Sequence, residues 1–249
     1  MHSSENRIEF LNTFYDDLSL EEVLRILKDH VLARKPGFMS SLNLQMLVAL
    51  DKDERFMKAF NESTMVLMDS QPLFNFAKKM GKPIHEKLSG SDIIFPISEY
   101  AEKNGFSCYI LGGADGVPEK AAEELKKQFP KLRIAGTCSP PRGFLNKQDE
   151  MRILEEEIKK ANPDIVFVCI SSPDREIFAS TALKEWGVPF SFCVGAAVDF
   201  VSRNVKRAPS WISKSGFEWL YRVFQDPKRL FKRYFVESWH FISIYRRYK

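Results

Sequence analysis

Five stretches of the chain place small or polar side chains directly after short apolar runs. Ser41 and Asn43 close "FMSSLN", Asp69 follows "MVLM", and Gly112 and Gly113 close "YILGG". Ser171 and Ser172 follow "VFVCI", and Gly195 and Asp199 lie in "FCVGAAVD". Each could be ordinary turn chemistry. Asp69 has three readings: a base that takes a proton from a hydroxyl, a metal ligand, or the N-cap of a helix that Pro72 opens. Gly112 and Gly113 precede "ADGVPEKAAEEL", a Gly-rich turn leading into a helix N-terminus. Backbone N–H groups there bind phosphate oxygens. The segment is neither a G-x-G-x-x-G fingerprint nor a P-loop, since no Gly-Lys-Ser/Thr follows.

The elements that must carry these residues follow from the apolar pattern. "LSLEEVLRILKDHVLA" reads as an amphipathic helix capped by Ser19. "GFMSSLN" reads as a strand and "LQMLVALDKDERFMKAF" as one helix. "STMVLMD", "FSCYILGG", "LRIAGTC", "DIVFVCISS" and the start of "PFSFCVGAAVDF" read as strands. Between them, "PLFNFAKKMGK", "SGSDIIFPISEYAEKNG", "PEKAAEELKKQFP", "NKQDEMRILEEEIKKANP" and "PDREIFASTALKEWG" read as helices. Strands alternating with helices predict an α/β fold with a mainly parallel sheet covered on both faces. Ligands of such sheets lie beyond the carboxyl ends of the strands, where the five polar stretches fall.

The 249 residues suit one large α/β unit with an appendage, and a 44% hydrophobic content suffices for a full core. From Arg203 to Lys249 there are 12 Lys and Arg against 3 Asp and Glu; the remainder carries 25 against 30. An acidic body with a basic tail implies an anionic partner. The tail, "KRAPSWISKSGFEWLYRVFQDPKRLFKRYF", interleaves cations with Trp211, Trp219, Phe224, Phe231 and Phe235, and Trp239 and Phe241 follow. A division at 1–201 and 202–249 is expected: an α/β domain and a helical basic-aromatic C-terminal appendage. Such helices suit an anionic membrane surface, with each basic residue contributing about 1 kcal/mol there; packing of the aromatics on the core is the plainer reading. A nucleic-acid module would use the same tail, but the acidic body argues against it. No apolar run approaches the roughly 20 residues of a spanning helix, and no signal peptide is evident. Four scattered cysteines without a CxxC pair read as reduced thiols, three of them inside apolar runs, as in a cytosolic protein. His2, His30, His85 and His240 show no metal-ligand spacing.

Taken together the segments resemble the WecG/TagA/CpsF family of bacterial glycosyltransferases. The matching stretches are "SLNLQMLVALDKDERFMKAFNESTMVLMDS", "GKPIHEKLSGSDI", "LGGADGVPEKAAEELKKQFPKLRIAG", "NPDIVFVCISSPDREIF", "VGAAVDFVSRNVKRAPSW" and "GFEWLYRVFQDPKRLFKRY", in the family's order from about residue 37 to 235. The resemblance implies a Rossmann-like α/β fold. It implies an inverting transfer of a sugar from a UDP-sugar to a polyprenyl-diphosphate-linked acceptor sugar in surface-polysaccharide synthesis. It implies no obligatory metal or other cofactor, and a place on the inner face of the cell membrane. Asp69 matches the family's general base, and Ser41 with Asn43 matches its Thr-x-Asn pair. Arg222, Arg229 and Arg233, with Lys232 beside them, match the diphosphate-binding cations of a C-terminal segment that closes over the site. Gly112, Gly113, Glu176 and Asp199 fall among the matched substrate-binding positions. A homo-oligomer is left open.

The chain also departs from the pattern. Asp-Gly becomes Asp69-Ser70, Thr becomes Ser41, Pro-Lys-Gln-Glu becomes "SPDRE" with Arg175 in place of Gln, and VGG becomes "VGAAVD". These positions surround the expected donor sugar. Arg175 reads either as a solvated arginine at a helix start or as a contact for a carboxylate on a uronic-acid donor. A catalytically degenerate relative that binds a lipid-linked sugar or a partner enzyme is the alternative to an active transferase.

Overall fold

The computed structural model of the protein describes residues 6–205 and 240–248. Its centre is a six-stranded, wholly parallel sheet in the order β4-β3-β8-β7-β5-β6. The strands are β3 (Phe38–Leu42), β4 (Met65–Met68), β5 (Ser107–Gly112), β6 (Arg133–Cys138), β7 (Ile165–Cys169) and β8 (Phe190–Cys193). All but β6 are buried along their length, which is why they read as continuous apolar runs. Successive side chains serve opposite faces. Cys108, Ile110, Phe167 and Phe192 join one core with α1 (Leu20–Leu32), α5 (Gly90–Asn104) and α6 (Val117–Gln128). Tyr109, Leu111, Val166, Val168 and Cys193 join the opposite core with α7 (Gln148–Ala161) and α8 (Asp174–Phe178).

The expected helices are present, with two differences. "LQMLVALDKDERFMKAF" is two helices, α2 (Leu44–Leu50) and α3 (Glu54–Asn61). Asp53 breaks the run by accepting the N–H groups of Arg55 and Phe56, a cap stronger than the continuity of the apolar period. The helix begun by α8 passes through a π-type stretch at Ala179–Leu183. Elsewhere the sequence signals hold. Ser19 and Glu22 form a full capping box on α1, and Pro118 sits in the first turn of α6. Ser70 caps α4 (Gln71–Lys79).

An antiparallel hairpin precedes the α/β unit, β1 (Arg7–Phe10) with β2 (Thr13–Asp16). It closes the β4 edge of the sheet. Asp16, held by a two-pronged ion pair with Arg7, accepts the free Val66 N–H of β4 at 2.7 Å. Tyr15 donates to the Pro83 carbonyl at 2.6 Å.

Of the appendage, residues 240–248 are helical and lie against the body. Ile244 is 1% exposed within the core formed by α2, α3, α4 and the hairpin. Phe76 of α4 meets Phe241 and Tyr245 edge-on at 5.3 and 5.2 Å, and Arg247 pairs with Asp51. Here the aromatics pack on the core. Ile244→Ala is expected to cost about 2–5 kcal/mol. Hydrogen exchange would show it as loss of protection in residues 240–248 ahead of the sheet. Among the described residues no helix is long and apolar enough to cross a membrane. All four cysteines are free, with Cys108, Cys169 and Cys193 buried. Burial and neighbouring carboxylates push the half-buried Cys138 thiol up to about 11.

Candidate active site

A parallel sheet delivers all its strand ends to one edge, and the five polar stretches lie along it. Leu42 faces Met68 in the β3–β4 register, so the residues that follow, Asn43 and Asp69, stand side by side. Asn43 caps α2: its Oδ1 accepts the Met46 N–H at 3.2 Å. That bond turns the amide so that Nδ2 donates to Asp69 Oδ2 at 3.3 Å. The Asp69 N–H is spent on the Leu42 carbonyl, fixing the backbone below the carboxylate. Ser70, not Asp69, caps α4, and its Oγ accepts the Leu73 N–H. The capping reading of Asp69 is thereby corrected, because the hydroxyl one position later does that work. Asp69 is half-buried and keeps acceptor capacity beyond its bond to Asn43, as a proton acceptor at a cleft requires.

Arg175 and Glu176 open α8 beneath the same edge. Arg175 is not a solvated arginine: its side chain is 9% exposed and that of Glu176 is 0%. The sequence signal failed because the partner that makes burial tolerable is simply the next residue. Arg175 Nε donates to Glu176 Oε1 at 2.5 Å, and Nη2 donates to Ser41 Oγ at 3.1 Å. Burial works most strongly against the guanidinium charge, but Glu176, Cys193 and Asp69 together outweigh it, so the Arg175 pKa lies above its ordinary value. Glu176 Oε2 is buried without a hydrogen-bond partner among the described residues. Ser41, buried in β3, and Arg175 are both positions at which the chain departs from the pattern of the resemblance, and the fold brings them into contact.

Gly195 follows β8 with φ 56, and a Cβ there would collide with Arg175 Nη1. Its N–H and that of Val194 share the Val168 carbonyl. Ser171 is exposed after β7, and its carbonyl accepts the Arg175 N–H at 3.1 Å. Ser172 Oγ lies 3.9 Å from Met46 Sδ. Met46, which sequence reasoning passed over as an apolar helix residue, thus touches both Ser172 and Arg175.

Gly112 and Gly113 occupy the far end of the edge, about 14 Å from Asn43 by strand spacing. Gly112 has φ 105, and a Cβ would stand 2.7 Å from the Cys169 carbonyl carbon. Gly113 has φ 95 and lies against Val117 and against Val198 of α9 (Ala197–Val201), the helix that carries Asp199. The α6 N-terminus follows, opened by Gly116 with φ 75. The strand-end edge therefore has two groups of residues: Ser41, Asn43, Asp69, Arg175 and Glu176 towards one end, and Gly112, Gly113 and Asp199 towards the other. Arg222, Arg229, Lys232 and Arg233 lie outside the described residues.

The strand-end edge thus carries one carboxylate oriented by Asn43 and, apart from it, a backbone turn of the kind that can bind an anion. The chain is similar to several known proteins. The chain is 25% identical over 219 residues to the N-acetylglucosaminyldiphosphoundecaprenol N-acetyl-beta-D-mannosaminyltransferase of Bacillus subtilis (strain 168), covering 88% of this chain and 83% of that protein. It is 26% identical over 195 residues to the protein of the same description from Bacillus spizizenii, covering 78% and 74%. To that from Staphylococcus aureus (strain MW2) it is 20% identical over 230 residues, covering 92% and 88%. The profile of the Glycosyl transferase WecG/TagA/CpsF family matches residues 8–249, and the chain belongs to that family.

Proposed function

We propose that the protein is an inverting glycosyltransferase that moves a sugar, of the N-acetylmannosamine type, from a UDP-sugar to a polyprenyl-diphosphate-linked acceptor sugar. The observation that carries this reading is the Asn43–Asp69 pair, a carboxylate aimed by its neighbour at the strand-end crevice. The substrate class is carried over from the names of the relatives, which act on N-acetylglucosaminyldiphosphoundecaprenol.

In the proposed step Asp69 takes the proton of the acceptor hydroxyl as its oxygen attacks the anomeric carbon. The bond from that carbon to the UDP oxygen breaks, and UDP leaves with the electron pair. A single base and a single displacement invert the centre. Charge developing on the diphosphate needs fixed donors, supplied without a metal by backbone N–H groups and arginines. Gly112, Gly113 and the α6 N-terminus suit one phosphate, with Asp199 beside them. Arg222, Arg229 and Arg233 are assigned to the diphosphate by resemblance alone. Residues 1–201 would form the catalytic domain and 202–249 an appendage that completes it against an anionic membrane surface, where the lipid-linked acceptor resides.

The test is transfer to a polyprenyl-diphosphate-N-acetylglucosamine analogue from UDP-linked N-acetylmannosamine, its uronic acid, glucose and glucuronic acid. Transfer from one N-acetylmannosamine-type donor is expected. Failure with every donor, from folded protein with lipid present, would overturn the reading in favour of a binding protein.

A further inference from the structure

Among the described residues Arg175 is the only buried lysine or arginine. Its guanidinium braces the chain on both sides of Asn43. Nη2 donates to Ser41 Oγ, two residues before Asn43, and lies 4.0 Å from Met46 Sδ, three residues after it. Met46 supplies the N–H that fixes the Asn43 amide, and that amide donates to Asp69. Nη1 rests against Gly195, and Nε is taken by Glu176. The cation thus ties the ends of β3 and β8 and the start of α8 into one unit, with its side chain 9% exposed.

We infer that Arg175 is a positioning residue for the Asn43–Asp69 pair, acting through Ser41 and Met46. This rests on the reading of Asp69 as the base. A misplaced base loses up to about 100-fold in rate. Arg175→Gln is therefore expected to lower kcat by about 10- to 100-fold with donor KM held within about twofold. Ser41→Ala, which keeps the buried ion pair and so should fold, is expected to lower kcat by a smaller factor in the same direction.

The decisive comparison repeats both substitutions in an Asn43→Ala background. A residue acting through Asn43 has nothing left to position there, so the further loss should shrink to about twofold or less. An equal loss in both backgrounds, or a rise in donor KM at unchanged kcat, overturns the inference. Selective 15N labelling of asparagine adds a readout that needs no turnover. The side-chain amide signals of Asn43, identified by their loss in Asn43→Ala, should shift and broaden in Ser41→Ala and Arg175→Gln, while those of Asn75 and Asn104 stay in place. Unmoved Asn43 signals overturn the inference. Moved signals in a protein that transfers nothing sink the proposed activity and leave the positioning role standing.

Discussion

Asp69→Asn is expected to lower the transfer rate by about 10²- to 10⁴-fold and to leave the fold intact. The replacement has the same shape, and its oxygen can still accept from Asn43 Nδ2, so the local geometry survives. What disappears is the capacity to take a proton as the acceptor oxygen attacks. The helix that follows is untouched, because Ser70 provides its cap. Donor binding should persist, since the turn at Gly112 and Gly113 that we propose for a donor phosphate lies three strands away from β3. The measurement is the initial rate at saturating donor for both proteins, with thermal midpoints alongside. A rate within about threefold of wild type would remove Asp69 from the proton transfer.

The second large effect is on stability. Arg175→Leu should destabilise the protein by about 3–5 kcal/mol, because it leaves the Glu176 carboxylate buried with no cation. Oε1 would lose its donor, and Oε2 has no partner among the described residues to begin with. For a chain of this size that is a fall in midpoint of roughly 6–20 °C. Adding Glu176→Gln to Arg175→Leu removes the stranded charge and should recover a large part of the loss. Thermal denaturation of the two variants separates this mechanism from simple loss of packing, which the second substitution would not repair. A single variant as stable as wild type would mean that the pair contributes nothing net.

The same residues mark what sequence reading reaches. Asp69, Asn43, Ser41, Gly112 and Gly113 were legible because strand ends announce themselves: an apolar run stops and a small or polar residue follows. Parallel strands then place all those ends on one edge. The burial of Arg175 was not legible, since no local pattern distinguishes a surface arginine from one enclosed by β3, β8 and α8. The hairpin at residues 7–16 was missed for a local reason. Its turn places Leu11 at φ 55, where the usual signal would be Gly or Asn, and each strand is only four residues long. The break between α2 and α3 shows apolar periodicity continuing across a position where an aspartate N-cap starts a new helix. Pro96 inside α5 shows the opposite, a formal breaker carried by strong burial of Ile93, Ile94 and Ile97.

Strand order has a consequence for the way the molecule comes into being. β8 is the last strand of the sheet to be synthesised, yet it lies between β3 and β7. Phe38 in β3 pairs with Ser191 in β8, so the earliest strand of the sheet waits for the latest. Without β8, no strand pairing joins the ribbon β3–β4 to the ribbon β6–β5–β7. Pairings of such long sequence separation form slowly and leave sticky intermediates. Asn43 and Asp69 belong to the first ribbon, and the turn at Gly112 and Gly113 to the second. One four-residue strand therefore both completes the sheet and sets the two groups of strand-end residues on a common edge.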